Sequence, residues 1–251
     1  MREAVHLETS NVVELPRQSE AIVVDNLVWS GGGKTRIDGL SMHVPATGVT
    51  ALLGANGAGK SLTMRLVAGL LQPQSGSVRF PKGTVLPHDL AFVFQKPVLL
   101  RRTVIGNLLH ALALRGVARR ERQLAAMRLL SIGRLDAVAN QPARTLSGGE
   151  QQRLAMVRAM AGQPRYLLLD EPTASLDPHS TAQIEELIKT VSQSGVAVLL
   201  VTHDRGQAER LAQEVRFMHQ GRVVESGPAH GFFTHPQSTP AQAYLAGELV
   251  L

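Results

Sequence analysis

The feature that most constrains this chain is the glycine-rich octapeptide GANGAGKS at residues 54–61. It follows the apolar strand pattern TGVTALL and precedes a segment that we expect to be helical over residues 60–71. Its spacing, G-x-x-x-x-G-K-[ST], lets backbone N–H groups surround phosphate oxygens, with Lys60 at the outer phosphates and the Ser61 hydroxyl as a Mg²⁺ ligand. The residues expected to hold the phosphates are Gly54, Ala55, Asn56, Gly57, Ala58, Gly59, Lys60, Ser61 and Leu62.

A second glycine-rich segment, GGGKT at residues 31–35, ends like the first one but lacks its spacing. The first glycine of the motif would have to fall at position 28, where the chain has Val28. We therefore expect this segment to be a hairpin turn.

An apolar strand pattern, YLLLDEP at residues 166–172, ends in two carboxylates. Ligands of open α/β sheets bind at the carboxyl ends of the strands, so both side chains are expected beside the phosphate loop. Asp170 is the candidate Mg²⁺ ligand, and Glu171 is the candidate general base for an attacking water. Alone, two acidic residues after a strand would be ordinary surface chemistry.

The segment Ser147, Gly148, Gly149, Glu150 has the pattern of a helix start. Ser147 is a good N-cap, and Glu150 three residues later completes a capping box. A capping box alone explains any helix start, but it does not explain two glycines in the first turn. These glycines weaken a helix while exposing N–H groups and a positive dipole end to an anion.

Strands and helices alternate along the chain, and the strands are apolar throughout, which indicates an α/β fold with a mostly parallel sheet covered on both faces. Residues 72–76 are expected to form a break between elements. Between residues 97 and 162 the pattern becomes helical, which predicts a helical lobe inserted into the α/β core. The domain is expected to span residues 21–228, with an extension at 1–20 and a tail at 229–251.

Composition restricts the environment of the chain. No run approaches the ~18 to 20 apolar residues of a membrane-spanning helix, and the first twenty residues carry four glutamates and no apolar core, so we expect a cytosolic protein. The absence of cysteine excludes disulfides and thiolate metal sites. The net charge of +6 leaves two interpretations of the arginines between 101 and 128: a solvated helix face, or contact with anionic lipid or a membrane partner.

The three motifs GANGAGKS, LSGGEQQR (residues 146–153) and YLLLDEP, in this order, resemble those of the ABC (ATP-binding cassette) family. The resemblance covers residues 21–228 and implies a P-loop NTPase of the cassette type, with an antiparallel β-subdomain and an inserted helical lobe. It further implies an ATPase that uses ATP and Mg²⁺ and works as a dimer with a second copy of itself. In that dimer each ATP lies between the phosphate loop of one subunit and residues 147–150 of the other.

The resemblance also implies roles for single residues. Lys60 and Glu171 are expected in catalysis, and His203, which closes the strand VAVLLVT, is expected to contact the γ-phosphate. Gln95 is expected to contact Mg²⁺ or the attacking water, and Asp177 to help join the two sites. Taken singly, a glutamine or histidine at a strand end is usually a surface residue.

One position departs from the family pattern. Members of the family commonly stack adenine on an aromatic residue of the first hairpin, where this chain has Gly31. Trp29, two residues earlier, is the candidate substitute, since both positions share a face if the strand continues that far.

The resemblance implies a separate transmembrane permease subunit, and so a peripheral position at the cytoplasmic face of the membrane. We expect residues 97–104, with Leu99 and Leu100, to contribute to the cleft that receives a helix of this partner. The segments VFQKPVLLRR and FFTHPQSTPAQAYLAGELV resemble bacterial oxyanion importers of the tungstate and phosphate types, which also use a secreted substrate-binding protein.

Two other classes of protein carry related motifs. An exporter or lipoprotein-release cassette would share all of these motifs. A nucleic-acid-associated ABC ATPase is disfavoured, because residues 60–147 contain neither sustained heptads nor cysteines and the chain has one cassette, so we expect no nucleic-acid partner. Stimulation of ATP hydrolysis by DNA or ribosomes would favour that class.

Overall fold

The computed structural model describes residues 21–81 and 88–248, and the expected extension at residues 1–20 lies outside this range. The strands are β1 (Ile22–Gly31), β2 (Lys34–Val44), β3 (Val49–Gly54), β4 (Ser75–Arg79), β5 (Leu90–Val93), β6 (Tyr166–Asp170), β7 (Ala197–Val201), β8 (Glu214–His219) and β9 (Arg222–Pro228). The helices are α1 (Lys60–Val67), α2 (Val104–Leu114), α3 (Arg119–Ile132), α4 (Gly148–Ala159), α5 (Pro178–Gln193), α6 (Arg205–Leu211), α7 (Ala229–Thr234) and α8 (Thr239–Ala246).

The core is a six-stranded sheet in the order β5-β6-β7-β3-β8-β9. All of its strands are parallel except β9, which pairs antiparallel with β8 at one edge. Every residue of β3, β6 and β7 is buried, because helices cover both faces of the sheet. The expected α/β fold with a mostly parallel sheet is confirmed, and the carboxyl ends of these strands meet at one edge.

A separate antiparallel sheet has the order β2-β1-β4 and packs its apolar side onto α1 and the core sheet. The turn between β1 and β2 consists of Gly32 and Gly33, both with positive φ, so the predicted hairpin turn is confirmed. Strand β4 was not predicted, since Ser75 and Gly76 belong to a segment expected to be a break. Helix α1 ends at Val67 and not at the predicted residue 71.

The predicted helical segment, residues 97–162, contains α2, α3 and α4, followed by a short 3₁₀ turn at Met160–Gly162. The apolar faces of these helices share one cluster of buried side chains with β5, β6, β7 and α5. The buried side chain of Asn107 fixes the preceding loop, since its Oδ1 accepts from Leu100 N (2.9 Å) and its Nδ2 donates to Thr103 O (3.0 Å). The lobe is therefore packed onto the sheet.

The tail expected at residues 229–251 contains the helices α7 and α8 within its described part. They pack over β8 through Phe232 and Tyr244, whose rings contact Phe217 at centroid distances of 5.6 and 5.1 Å. No helix in residues 21–81 and 88–248 is long and apolar enough to cross a bilayer.

Candidate functional site

The glycine-rich loop joins the carboxyl end of β3 to α1. Gly54 has a φ of +150°, and a Cβ atom there would lie 2.3 Å from the carbonyl oxygen of Met218. Gly59 caps α1 with a φ of +104°, and a Cβ atom there would lie 2.7 Å from Cδ1 of Ile37. Both positions therefore require glycine, for the path of the backbone and for the close approach of neighbouring elements.

The Lys60 side chain is buried against this loop. Its Nζ donates hydrogen bonds to the carbonyl oxygens of Gly54 (2.8 Å) and Ala55 (3.0 Å). Burial lowers the pKa of Lys60, while the negative charges of Glu171 and Asp170 oppose that change. The loop thus holds one ammonium group close to two carboxylates.

Ser61 and Asp170 connect the loop to the end of β6. The Ser61 hydroxyl donates to Oδ1 of Asp170 at 2.7 Å. Burial raises the pKa of Asp170, and the hydrogen bond from Ser61 acts in the opposite direction. A hydroxyl and a carboxylate oxygen side by side are hard oxygen ligands, so this pair fits Mg²⁺ when phosphates complete the coordination.

Glu171 brings together three residues that are far apart in sequence. Its Oε2 lies 3.3 Å from Nε2 of Gln95 and 3.3 Å from Nδ1 of His203. Its backbone adopts a φ of +47°, which is uncommon outside glycine, and is fixed by a hydrogen bond from its N–H to Val201 O (2.9 Å). The strained backbone turns this side chain away from the end of β6 and into the space above the phosphate loop.

Glu171 and the phosphate loop border a cavity of about 310 Å³. Its lining comprises Arg36, Asn56, Gly57, Gly59, Lys60, Ser61, Leu62 and Glu171. Arg36 on β2 also lines the cavity and was not predicted, because its position depends on how the antiparallel sheet packs against the loop.

The predicted capping box at the start of α4 is confirmed. Ser147 Oγ accepts from Glu150 N (3.3 Å), and Glu150 Oε2 accepts from Ser147 N (2.8 Å). The Ser147 hydroxyl also donates to Glu150 Oε2 (2.7 Å), and this bond, followed by the one from Ser147 N, lowers the pKa of Glu150. Ser147 and Gly148 are exposed, and within the described residues none of 147–150 lines the cavity at the phosphate loop.

One of the two glycines in this turn has a packing explanation. Gly149 is buried, and a Cβ atom there would lie 2.5 Å from Ser180 Oγ on α5. Asp177 caps α5, since its Oδ1 accepts from Ser180 N (2.9 Å), and hydrogen bonds from the side chain and then the backbone of Ser180 lower the pKa of Asp177. The helix start at Ser147 and the segment around Asp177 therefore form one exposed surface.

Trp29 occupies the position above Gly31. Strand β1 continues to Gly31, and a Cβ atom on that glycine would lie 2.3 Å from Cη2 of Trp29, so the indole ring covers the place of the absent side chain. Trp29 pairs with Ile37 across the hairpin, and Ile37 contacts Gly59 of the phosphate loop. Directly opposed residues share a face of the sheet, so the indole lies on the side of the loop.

A second cavity, of about 420 Å³, lies between the helical lobe and β5. Pro97, Val98 and Leu100 of the segment 97–104 line it, whereas Leu99 packs against the apolar core of the lobe. Leu114 at the end of α2 is 73% exposed and lines the opposite wall.

A buried polar network lies behind the site, and it was not predicted from the sequence. Gln207 Nε2 donates to Thr173 Oγ1 at 2.9 Å, two residues beyond Glu171. Arg210 donates to both carboxylate oxygens of the buried Glu185, at 2.9 and 2.6 Å. These residues come from α5, α6 and the loop after β6, and no local pattern in the sequence indicates that they lie close together.

Comparison with known proteins gives one consistent family. The family model described as "ABC transporter" matches residues 37–174. A tungstate uptake system ATP-binding protein from Peptoclostridium acidaminophilum is 38% identical, over 84% of this chain and 99% of that protein. An arginine transport ATP-binding protein from Haemophilus influenzae is 36% identical, over 90% and 99% of the two chains.

Similarity extends to phosphate importers and to solved structures. A phosphate import ATP-binding protein from Campylobacter jejuni is 34% identical, over 88% of this chain and 96% of that protein. The solved structure of cbiO1 from Clostridium perfringens, described as part of the ABC transporter complex cbiONQ, superposes with a TM-score of 0.77 at 26% identity. That match covers 85% of this chain and 90% of the other.

Proposed function

The chain belongs to the ABC transporter family of ATP-binding proteins, and on that premise we propose that it is the ATPase subunit of an importer and works as a head-to-tail dimer. The observation that supports this most strongly is the convergence of Gln95 and His203 on one oxygen of Glu171, beside the cavity that Lys60 and Ser61 line. Three strand ends and one glycine-rich loop supply these groups, which together match the requirements for hydrolysing a phosphoanhydride.

Each group has a role that follows from its chemistry. The N–H groups of residues 54–62 and the Lys60 ammonium hold the phosphates of ATP. Glu171 accepts the proton of the attacking water, Gln95 orients that water, and His203 contacts the γ-phosphate. Oε2 of Glu171 already lies 3.3 Å from both Gln95 Nε2 and His203 Nδ1, so little reorganisation of these side chains is needed before the reaction.

Ser61 and Asp170 would hold Mg²⁺, which neutralises charge on the phosphate oxygens when it is bound. Asp170 ends a fully buried strand, so its carboxylate is held at a fixed distance from the loop. The hydrogen bond from the Ser61 hydroxyl keeps its oxygen beside Oδ1 of Asp170.

The dimer completes the site. The exposed start of α4 carries free N–H groups and a positive dipole end, which suit the γ-phosphate, yet it lies outside the cavity of its own chain. A second copy that places its Ser147–Glu150 turn over the cavity would supply the missing anion contacts. Asp177, on the same surface, would join the two sites.

The second cavity, between the helical lobe and β5, is the proposed docking site of a transmembrane permease. This groove is lined by Val98 and Leu114. It is apolar along β5 and bordered by the basic Arg115 and Arg158, which suits a short helix with an acidic end. In this assembly the chain lies at the cytoplasmic face of the membrane. Gln95 follows β5 directly, so movement of the docked helix reaches the catalytic residues through one loop.

For the cargo we propose an oxyanion such as tungstate, delivered by a secreted substrate-binding protein. The support is similarity to the tungstate uptake protein at 38% identity and to phosphate importers at 34%. The arginine transport relative at 36% defines the competing class of cargo. Uptake of radiolabelled tungstate, phosphate and arginine by cells with and without the coding sequence distinguishes the three.

Hydrolysis is tested with the purified protein, ATP and Mg²⁺. Glu171→Gln should bind ATP normally but lower the turnover rate by about 10² to 10⁴, which is the usual contribution of a general base. Glu186→Gln, an exposed substitution on α5 outside the cavity, is the matched control and should leave the rate unchanged. Equal rates in the two variants would reject the assignment of Glu171.

A further inference from the structure

The tail helix α8 ends against the loop that carries His203. Nη1 of Arg205 donates to the carbonyl oxygen of Tyr244 at 3.3 Å and also to that of Leu245. The last carbonyl groups of a helix lack partners within it and favour a cation, so Arg205 caps α8. Arg205 is also the first residue of α6, two positions beyond His203.

A second contact reaches His203 itself. The Tyr244 hydroxyl lies 3.5 Å from the carbonyl oxygen of His203, close enough to donate a long hydrogen bond. Burial raises the pKa of Tyr244, which keeps the hydroxyl protonated as a donor. The Tyr244 ring is held by Phe217 on β8, with centroids 5.1 Å apart. Helix α8 therefore contacts the backbone of the residue whose imidazole contacts Glu171.

The opposite end of α8 is anchored as well. Oε2 of Glu225 on β9 accepts from the backbone N–H (2.8 Å) and the hydroxyl (2.6 Å) of Ser238, and Oε1 accepts from Gln237 N (2.9 Å). Ser238 in turn caps α8 by accepting from Ala241 N at 3.3 Å. The helix is thus fixed at both ends, and it has little freedom to leave the loop.

The loop between β7 and α6 contains only residues 202–204, and few internal contacts hold it. Thr202 Oγ1 accepts from Asp204 N (3.0 Å), and Asp204 Oδ1 accepts from Gln207 N (3.0 Å). The His203 imidazole has 57% of its surface exposed, so its direction depends mainly on its backbone. A catalytic group displaced by about 1 Å can cost roughly a hundredfold in rate.

We propose that α8 is a strap that fixes the backbone of His203, and that Arg205 and Tyr244 are the positioning residues through which the tail sets the rate of ATP hydrolysis. This inference rests on the proposed function, because the role of His203 at the γ-phosphate is assigned there. It gives the tail a part in catalysis although none of its described residues lines the cavity at the phosphate loop.

The test compares Arg205→Met and Tyr244→Phe with a control on the same helix. Gln242→Ala removes an exposed side chain whose Nε2 donates to Pro236 O and touches nothing of the His203 loop. We expect kcat to fall about tenfold in Arg205→Met and less in Tyr244→Phe, with unchanged KM and ATP affinity, and Gln242→Ala to match the wild type. A kcat in Arg205→Met within twofold of the control would overturn the proposal.

A double-mutant cycle shows whether the effect passes through His203. In a His203→Ala background, Arg205→Met should cause no further loss of kcat. An equal loss in both backgrounds would mean that Arg205 acts elsewhere, and the strap would be rejected.

A readout that needs no activity separates this inference from the proposed function. Amide hydrogen exchange at residues 202–204 should be faster in Arg205→Met and Tyr244→Phe than in Gln242→Ala. Equal exchange in all three overturns the strap, whatever the ATPase rate of the wild type. Absence of ATPase activity in the wild type would count against the proposed function alone.

Discussion

The Ser61 hydroxyl donates a 2.7 Å hydrogen bond to Asp170, a residue 109 positions further along the chain. This contact joins the glycine-rich loop to the acidic end of β6. Because Lys60 and Glu171 are the chain neighbours of these two residues, the same contact fixes the distance between the phosphate-binding cation and the proposed base. The arrangement of the site therefore depends on the packing of β3 beside β7 and of β7 beside β6.

The two lysines that follow glycine segments should differ in function. Lys60→Ala should weaken ATP binding by about 10- to 150-fold, the equivalent of ~1.5 to 3 kcal/mol for a hydrogen bond to a charged group. Lys34→Ala, at the exposed start of β2, is the control and should bind ATP like the wild type. Isothermal titration with ATP measures both. Equal affinities for the two variants would contradict the assignment of the phosphate loop.

The pH dependence of stability should reveal the buried charge at Asp170. Burial raises the pKa of Asp170 above its ordinary value of 3.8, so the neutral form favours folding. The neutral carboxyl of Asp170 contributes its full stabilisation below pH 3.8, and this stabilisation is lost as the pH rises through the pKa of the folded state. Without nucleotide, Asp170→Asn should therefore raise the Tm at pH 7 by a few degrees, since about 1 kcal/mol corresponds to roughly 2–4 °C. The gain should shrink below pH 4.

Asp177→Asn is a control, because the pKa shift of Asp177 has the opposite direction to that of Asp170. The pKa of Asp177 is lowered by its hydrogen bonds with Ser180, so its carboxylate contributes stability above pH 3.8 and loses it as the pH falls through the lowered value. This variant should not be more stable than the wild type at pH 7. Thermal melts of both variants between about pH 3 and pH 8 provide the comparison, and a lower Tm of Asp170→Asn at pH 7 would disprove the prediction.

Trp29 should contribute to adenine binding. Stacking of a base on an aromatic ring is worth about 1–3 kcal/mol, so Trp29→Leu should weaken ATP binding by roughly 5- to 150-fold. Inorganic triphosphate has no base, so its affinity should be the same in wild type and variant. If both ligands lose affinity equally, the indole stabilises the hairpin and does not contact adenine.

The groove residues Val98 and Leu114 should be needed for assembly with the permease. An aspartate at either position would be buried in an apolar contact without a partner, which is costly. Co-purification with the membrane subunit should fall by at least about tenfold, while the ATPase rate of the isolated protein persists. Leu124→Asp on α3, which is also exposed but lies outside the groove, is the control. Normal co-purification of Val98→Asp would place the contact elsewhere.

The sequence predicted the elements whose pattern is local. The apolar runs ending at Gly54 and Asp170 became buried parallel strands, and Ser147 with Glu150 became the expected capping box. Strand β4 was not predicted because a glycine such as Gly76 is typical of a turn. The strand forms because it pairs with β1, where Gly76 has a φ of +85° and a Cβ atom on it would lie 2.3 Å from Asn26 O. Such long-range pairing has no local signature.

The site could be predicted in part for the same reason. Glu171, Gln95 and His203 each end or follow a strand, and strand ends of a parallel sheet meet at one edge. Arg36 and Gln207 come from elements whose orientation depends on tertiary packing, and they were not predicted. Tyr244 reaches His203 only because α8 folds back over Phe217, which no spacing of residues indicates.

In the proposed dimer each ATP lies between two copies of this chain. The most direct measurement is the mass of Glu171→Gln in solution, by light scattering after size exclusion, with saturating ATP and Mg²⁺. We expect twice the 27.0 kDa of the chain, and a return to 27.0 kDa when Ser147→Arg is added. A mass of 27.0 kDa for Glu171→Gln under these conditions would contradict the account.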